Sequence, residues 1–195
     1  MRIGVMGGTF DPPHLGHLIV ASEAYSRLAL DLVLFVPAGQ PWQKSDRVVT
    51  PSLERLAMTA LAVADDPRFA VSRVDVDRPG PTYTVDTLTD LKAGLDPSDE
   101  LFLLVGADAL QGIGTWQRSA ELAGLAHIVG LTRPGHALTA PSTWEGQVSL
   151  LQVPQIEISS TDCRERFSAD LPMKYFVPDS VIDYAVSRAL YRGAR

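Results

Sequence analysis

Six short apolar, β-branched runs divide the chain, at residues 3–6, 32–36, 69–76, 101–105, 127–131 and 148–153. Most are apolar nearly throughout, the mark of strands buried on both faces of a sheet. The longer stretches between them carry apolar residues at helical spacing: Leu18, Ala21, Tyr25 and Leu28 in the first, and Leu53, Leu56, Ala57, Ala60 and Leu61 in the second. The second opens at Thr50-Pro51-Ser52, a helix start signal. A first helix is predicted from near Pro13. A last helix is predicted from Pro178-Asp179-Ser180, burying Val181, Ile182, Ala185, Val186, Ala189 and Leu190. Residues 133–146 are rich in Gly, Pro, Ser and Thr and read as a loop. Strand and helix in alternation specify a doubly wound α/β fold, a mainly parallel sheet with helices on both faces. The 195 residues suit a single domain over 1–195, with a C-terminal helical portion from about residue 159.

That fold restricts where a ligand can sit. Open α/β sheets bind beyond the carboxyl ends of their strands, where the strand order reverses. The polar clusters here obey that rule: residues 7–17 follow the first run, 39–44 the second, 106–108 the fourth and 159–166 the sixth. Parallel strands would bring all four to one sheet edge. Composition narrows the ligand. Seventeen Lys+Arg against 23 Asp+Glu leave a formal charge of −6, which argues against nucleic acid or an anionic membrane as partner. No apolar run approaches the roughly 18–20 residues of a bilayer span, and the N-terminus carries no secretory apolar segment. A single cysteine, Cys163, excludes an internal disulfide framework or a multi-cysteine zinc site. A cytoplasmic protein is expected, and an anionic ligand must be met by a local positive site.

The most informative stretch is Gly7-Gly8-Thr9-Phe10-Asp11-Pro12-Pro13-His14-Leu15-Gly16-His17. Two glycines after a strand allow a tight turn and close backbone approach to a ligand. A helix starting just beyond them would aim its free N–H groups at the same place, an anion site. His14 and His17 are three apart, hence on one face of the first turn, where imidazole N–H groups can donate to a phosphate. The plainer reading is a glycine turn with two capping histidines. The stretch lacks the Gly-Lys-Ser/Thr of a Walker loop and the spacing of a dinucleotide fingerprint.

Gly8-Thr9-Phe10-Asp11-Pro12 through His14-Leu15-Gly16-His17 resembles the signature of the nucleotidyltransferase superfamily, the adenylyl- and cytidylyltransferases with an HxGH motif. The superfamily's second motif is matched by Ile158-Ser159-Ser160-Thr161-Asp162-Cys163-Arg164. The resemblance implies a Rossmann-like fold and an ATP site in which His14 and His17, with the backbone of Gly8, Thr9 and Phe10, meet the α-phosphate. Ser160 and Thr161, at a second helix N-terminus, and Arg164 one turn in would hold the β- and γ-phosphates. Gly106 and Asp108 would complete the ATP site, Asp108 holding a ribose hydroxyl or helping to place Mg²⁺. Mg²⁺ itself is expected on the triphosphate rather than in a protein cage. Cys163 sits in the first turn of that helix, where the N-terminus could lower its pKa; filler within the motif is the plainer reading.

The acceptor is argued from other segments. Pro81-Thr82-Tyr83-Thr84-Val85-Asp86-Thr87-Leu88, Gly106-Ala107-Asp108-Ala109-Leu110 with Trp116, Arg133-Pro134-Gly135 and the ending Leu190-Tyr191 resemble the nicotinate-nucleotide branch. There the resemblance implies Trp116 stacked on the nicotinate ring, with Thr84 and the Gln117 N–H on its carboxylate. An indole face suits a flat, electron-poor ring. Trp116 as simple core and Thr84 as a helix cap are the competing readings. The branch often has Pro-Pro-His-Lys or Pro-Pro-His-Arg after its second strand; here the loop reads Pro41-Trp42-Gln43-Lys44, keeping a cation at Lys44 for phosphate. Arg133 is a further candidate cation. The implied substrates are ATP and nicotinate mononucleotide, with neither nucleic acid nor membrane as partner. A phosphopantetheine or nicotinamide mononucleotide acceptor, or a non-catalytic nucleotide sensor, are the alternatives.

Overall fold

A computed structural model of the chain describes residues 1–41, 49–133 and 135–192. Its elements run β1 (Arg2–Gly8), α1 (Leu15–Arg27), β2 (Leu32–Pro37), β3 (Gln40–Pro41), α2 (Ser52–Val63), β4 (Phe69–Val71), α3 (Val74–Asp77), β5 (Pro81–Thr82), α4 (Thr84–Ala93), β6 (Glu100–Gly106), α5 (Ala107–Leu110), α6 (Leu122–Leu125), β7 (His127–Leu131), β8 (Val148–Leu151), α7 (Ser160–Ser168) and α8 (Asp179–Ser187). Six strands form one sheet in the order β4-β2-β1-β6-β7-β8, and every pairing in it is parallel. From β1 the chain first builds outward through β2 and β4, then returns to β1's other side with β6. The order therefore reverses between β1 and β6, which fixes the crevice where a ligand belongs.

Alternate residues of each strand feed opposite layers, as the pleat requires. Leu101, Leu103 and Val105 pack with Ile3, Val5 and with Val85 and Leu88 of α4. Phe102 and Leu104 pack with Val33, Phe35 and with Ala21 and Ala24 of α1. A third cluster joins Met58 of α2 to Cys163, Val181 and Ala185 of α7 and α8. None of the helices is long and apolar enough to cross a membrane, among the described residues.

Three local readings are corrected. The run 69–76 is a strand only to Val71; Ser72 then accepts the Val74 N–H at 3.2 Å and Arg73 pairs with Asp77, closing the helical turn α3. The buried side of α2 is Arg55, Leu56, Met58, Thr59 and Val63, while Leu53 is 62% exposed. The helix is rolled toward Arg55, whose side chain turns inward. In α8, Val181 and Ala185 are buried but Val186 is exposed, and the helix has ended before Ala189, whose φ is +53°. The two-residue strands β3 and β5 pair in parallel as a separate small sheet that is too short to leave a sequence pattern.

Candidate active site

The loop between β1 and α1 lies at the switch point. Its helix starts at Leu15, slightly beyond the expected Pro13, with His14 as the extended N-cap residue (φ −140°, ψ 167°). The His14 N–H donates to Nδ1 of His17 at 3.1 Å. That bond makes Nδ1 an acceptor, so the neutral His17 ring carries its proton on Nε2. The two rings stack with centroids 3.7 Å apart. The reverse half of this box, the His17 N–H facing the His14 ring, bonds the His14 carbonyl at 2.9 Å instead. Nδ1 of His14 is thus buried with no hydrogen-bond partner among the described residues. Burial, helped by the nearby Arg133 charge, pushes the His14 pKa down to about 4, so this imidazole is neutral near pH 7.

The glycines act differently from the simple turn that the sequence suggests. The left-handed residue is Phe10, with φ +48°, and its ring folds back over Gly8, where a Cβ would lie 2.8 Å away. The same ring meets His17 edge-on at 5.0 Å. Gly16 is small because the His14 ring lies against it: a Cβ there would sit 3.0 Å from Nδ1. Among the described residues, nothing lies within 4 Å of a would-be Cβ on Gly7.

Distant segments brace this loop. The Asp11 carboxylate accepts from the Thr50 N–H at 3.2 Å and the Tyr191 hydroxyl at 2.8 Å. Arg164 Nη1 donates to the Asp11 carbonyl at 2.7 Å and the Ser160 hydroxyl to the Pro12 carbonyl at 2.9 Å. Arg164 Nη2 donates to Thr161 Oγ1 at 3.0 Å. The second motif's side chains therefore grip the first motif's backbone, and what α7 leaves toward a ligand is its N-terminal turn, capped by Ser159 on the Asp162 N–H at 3.1 Å. Sequence reading missed Arg55, Asp11 and Tyr191. For Arg55 a signal exists: it lies three and four residues from Met58 and Thr59, on the side of α2 that is buried.

Beside the loop lies a cleft of about 200 Å³ lined by Gly7, Gly8, Thr9, Gly106, Thr84, Trp116 and Gln117, among others. Trp116 is half-buried and packs on the core with one side while lining the cleft with another. Thr84 is the first residue of α4, and Tyr83 holds the N-cap position. Asp75, which the sequence reading did not single out, also lines the cleft. It accepts from Thr87 Oγ1 at 2.7 Å and Arg78 Nη1 at 2.8 Å, and burial holds its pKa above the ordinary carboxylate range.

The remaining predicted residues stand beside the cleft rather than in its lining. Asp108 folds over Gly106, whose Cβ would be 2.6 Å from Oδ1, and its Oδ2 is 3.7 Å from Arg133 Nε. His14, His17, Ser160, Thr161 and Arg164 belong to the braced loop and α7. Trp42, Gln43 and Lys44 lie outside the described residues. Cys163 is buried, and burial pushes its thiol up to about 11, so the helix N-terminus does not activate it. Among the described residues no group of three His, Cys, Asp or Glu side chains is placed to hold a metal ion.

The cytidylyltransferase-like family model matches residues 5–166. A Saccharopolyspora erythraea protein described as a probable nicotinate-nucleotide adenylyltransferase is 55% identical over 192 residues, covering 98% of this chain and 90% of its own. A Streptomyces coelicolor protein of the same description is 56% identical over 188 residues, 96% of this chain and 100% of its own. In fold, the chain is similar to a Plasmodium falciparum nicotinic acid mononucleotide adenylyltransferase complexed with NaAD, with a TM-score of 0.77 at 19% identity over 97% of each chain. By the family model and these relatives, the chain belongs to the cytidylyltransferase-like family, in its nicotinate-nucleotide adenylyltransferase branch.

Proposed function

We propose that the protein transfers AMP from Mg-ATP to nicotinate mononucleotide, giving deamido-NAD and pyrophosphate, as a step of NAD biosynthesis carried out by a single nucleotidyltransferase domain. One observation carries the choice of acceptor. Thr84, Trp116 and Gln117, far apart in the chain from Gly8 and Thr9, line the same cleft as those nucleotide-loop residues and Gly106. A flat ring laid on Trp116 would bring its carboxylate toward the Thr84 hydroxyl, which makes no hydrogen bond among the described residues, and the Gln117 N–H.

In the reaction an oxygen of the acceptor phosphate attacks the α-phosphorus of ATP. The bond from that phosphorus to the α–β bridging oxygen breaks, and pyrophosphate leaves in line with attack. The attacking oxygen is already deprotonated at neutral pH, so the site needs no general base; it must align two anions and stabilise the charge that develops. His14 and His17, with the backbone of Thr9 and Phe10, take the α-phosphate. The N-terminal turn of α7 at Ser160 and Thr161, with Lys44 and the charge of Arg164 behind that turn, takes the departing pyrophosphate. Asp108 and Arg133 flank the nucleotide, and Mg²⁺ enters with the triphosphate.

The test is pyrophosphate release with Mg-ATP and, separately, nicotinate mononucleotide, nicotinamide mononucleotide and phosphopantetheine. Turnover should be fastest with the first. Silence with it overturns the reading, and preference for the amide refutes the roles of Thr84 and Gln117 alone.

A further inference from the structure

Arg55 has no place in the reaction so far, yet its environment is unusual. It sits in the first turn of α2 and is 1% exposed. Its nearest influential carboxylate, Asp11, acts on it only through space, and among the described residues it makes no ion pair. Instead the guanidinium donates to four main-chain carbonyls: Nε to Thr50 at 2.8 Å, Nη1 to Thr9 at 2.7 Å, and Nη2 to Ala38 at 2.6 Å and Gly39 at 2.9 Å. Thr9 belongs to the loop after β1, Ala38 and Gly39 to the exit of β2, and Thr50 to the approach to α2. Thr9 and Ala38 both line the cleft.

A buried cation with no carboxylate bonded to it is costly to desolvate, so its retention asks for a reason. Joining three carbonyl-bearing segments is one task that the planar five-donor fork can do and an ammonium cannot, since a point charge does not match that geometry. Placing fixed positive charge behind a loop that receives phosphate is another. Gly39 adds to the tightness of this corner: a Cβ there would fall 2.1 Å from the Asp75 carbonyl oxygen, so the wall that Arg55 ties down has no slack.

Resting on the function proposed above, we infer that Arg55 is a positioning residue for adenylyl transfer. It locks the Thr9 peptide against the β2 exit, so that the α-phosphate meets the Thr9 and Phe10 backbone at a fixed place. It touches neither substrate. Its loss should act on kcat more than on KM, because misplacing a group by about 1 Å can cost up to about 10²-fold in rate while ground-state contacts elsewhere survive.

The experiment compares the parent with Arg55→Lys, Arg55→Gln and Arg55→Ala by steady-state pyrophosphate release, each rate scaled to the folded fraction from urea unfolding. Arg55→Lys and Arg55→Gln should lose about 10- to 100-fold in kcat with KM for nicotinate mononucleotide changed less than about threefold. Millimolar guanidinium, but not the neutral urea, should restore part of the Arg55→Ala rate. Folded variants with parental kcat overturn the inference, as does rescue by urea equal to that by guanidinium. Failure of all three variants to fold makes Arg55 a support of the fold itself and overturns it too. A parent that releases no pyrophosphate would instead condemn the proposed reaction, so the two failures are told apart in one assay.

Discussion

His17→Ala removes two things that can be measured apart. One is the acceptor of the His14 N–H, a 3.1 Å bond that satisfies the N-cap donor of α1; losing one such hydrogen bond costs about 0.5–1.5 kcal/mol. In a chain of this size that lowers Tm by roughly 2–4 °C per kcal/mol. The other is the Nε2–H donor that the same bond orients. If it serves the α-phosphate as one donor of a preorganised set, its loss lowers kcat by about 10²–10³. The replacement His17→Asn separates the two, because the amide oxygen occupies the place of the ring Nδ1 and can accept the same N–H, while nothing replaces the Nε2–H. Thermal unfolding by circular dichroism should show His17→Asn near the parent and His17→Ala below it. Pyrophosphate release at saturating Mg-ATP and nicotinate mononucleotide should find both variants slow. A folded His17→Ala protein with kcat within about tenfold of the parent refutes the phosphate role, and an unchanged Tm refutes the cap.

Trp116→Ala should raise KM for nicotinate mononucleotide by about 2- to 10-fold, the worth of one aromatic stacking contact, with kcat moving less; initial rates at varied acceptor check this. Gly39→Ala forces a Cβ against the Asp75 carbonyl, 2.1 Å away in the present backbone, and should destabilise by about 1–3 kcal/mol, as overpacking does, read from the urea midpoint. His14 links stability to pH. Its folded pKa of about 4 lies below its ordinary 6.5, so between these values the unfolded chain binds a proton that the folded chain refuses. Stability should therefore fall as pH drops from 6.5 to 4 and level off below, by at most about 3 kcal/mol from this group. His14→Gln should flatten that part of the curve in urea titrations, and equal slopes in the two proteins would count against the neutral, buried imidazole.

The layered sheet could be read from the sequence because burial on both faces leaves apolar runs; four of the six runs are strands throughout, and 148–153 is one as far as Leu151. The third, 69–76, failed past Val71, where Ser72, Arg73 and Asp77 supply local side-chain bonds that close a helical turn, an interaction that competes with the ladder. The candidate loop was legible as a motif, but its bracing was not. Arg55 bonds four carbonyls, and carbonyls have no letter in a sequence. Tyr191 reaches Asp11 across 180 positions, beyond any periodicity. Ser160 and Arg164 illustrate the same limit from the other side: the family resemblance implied anion binding for them, but nothing in the sequence told that their side chains also brace the Pro12 and Asp11 carbonyls.

The formal charge of −6 looks unfavourable for a protein with two anionic substrates until the partners of each arginine are compared. Arg2, Arg27, Arg68, Arg73, Arg78 and Arg118 pair with carboxylates, so their fields are largely cancelled at the surface. Arg55 and Arg164 are bonded to main-chain carbonyls instead. A carbonyl satisfies the donor without neutralising the ion. Both of these arginines grip the β1–α1 loop, one at Thr9 and the other at Asp11, while His14 stays neutral within it. Positive charge offered to a phosphate at this loop therefore comes from the arginines behind it, offset in part by the Asp11 carboxylate, rather than from His14. Exposed carboxylates more than about 8 Å away are mostly screened at physiological salt, so their excess does little to oppose phosphate at the proposed site.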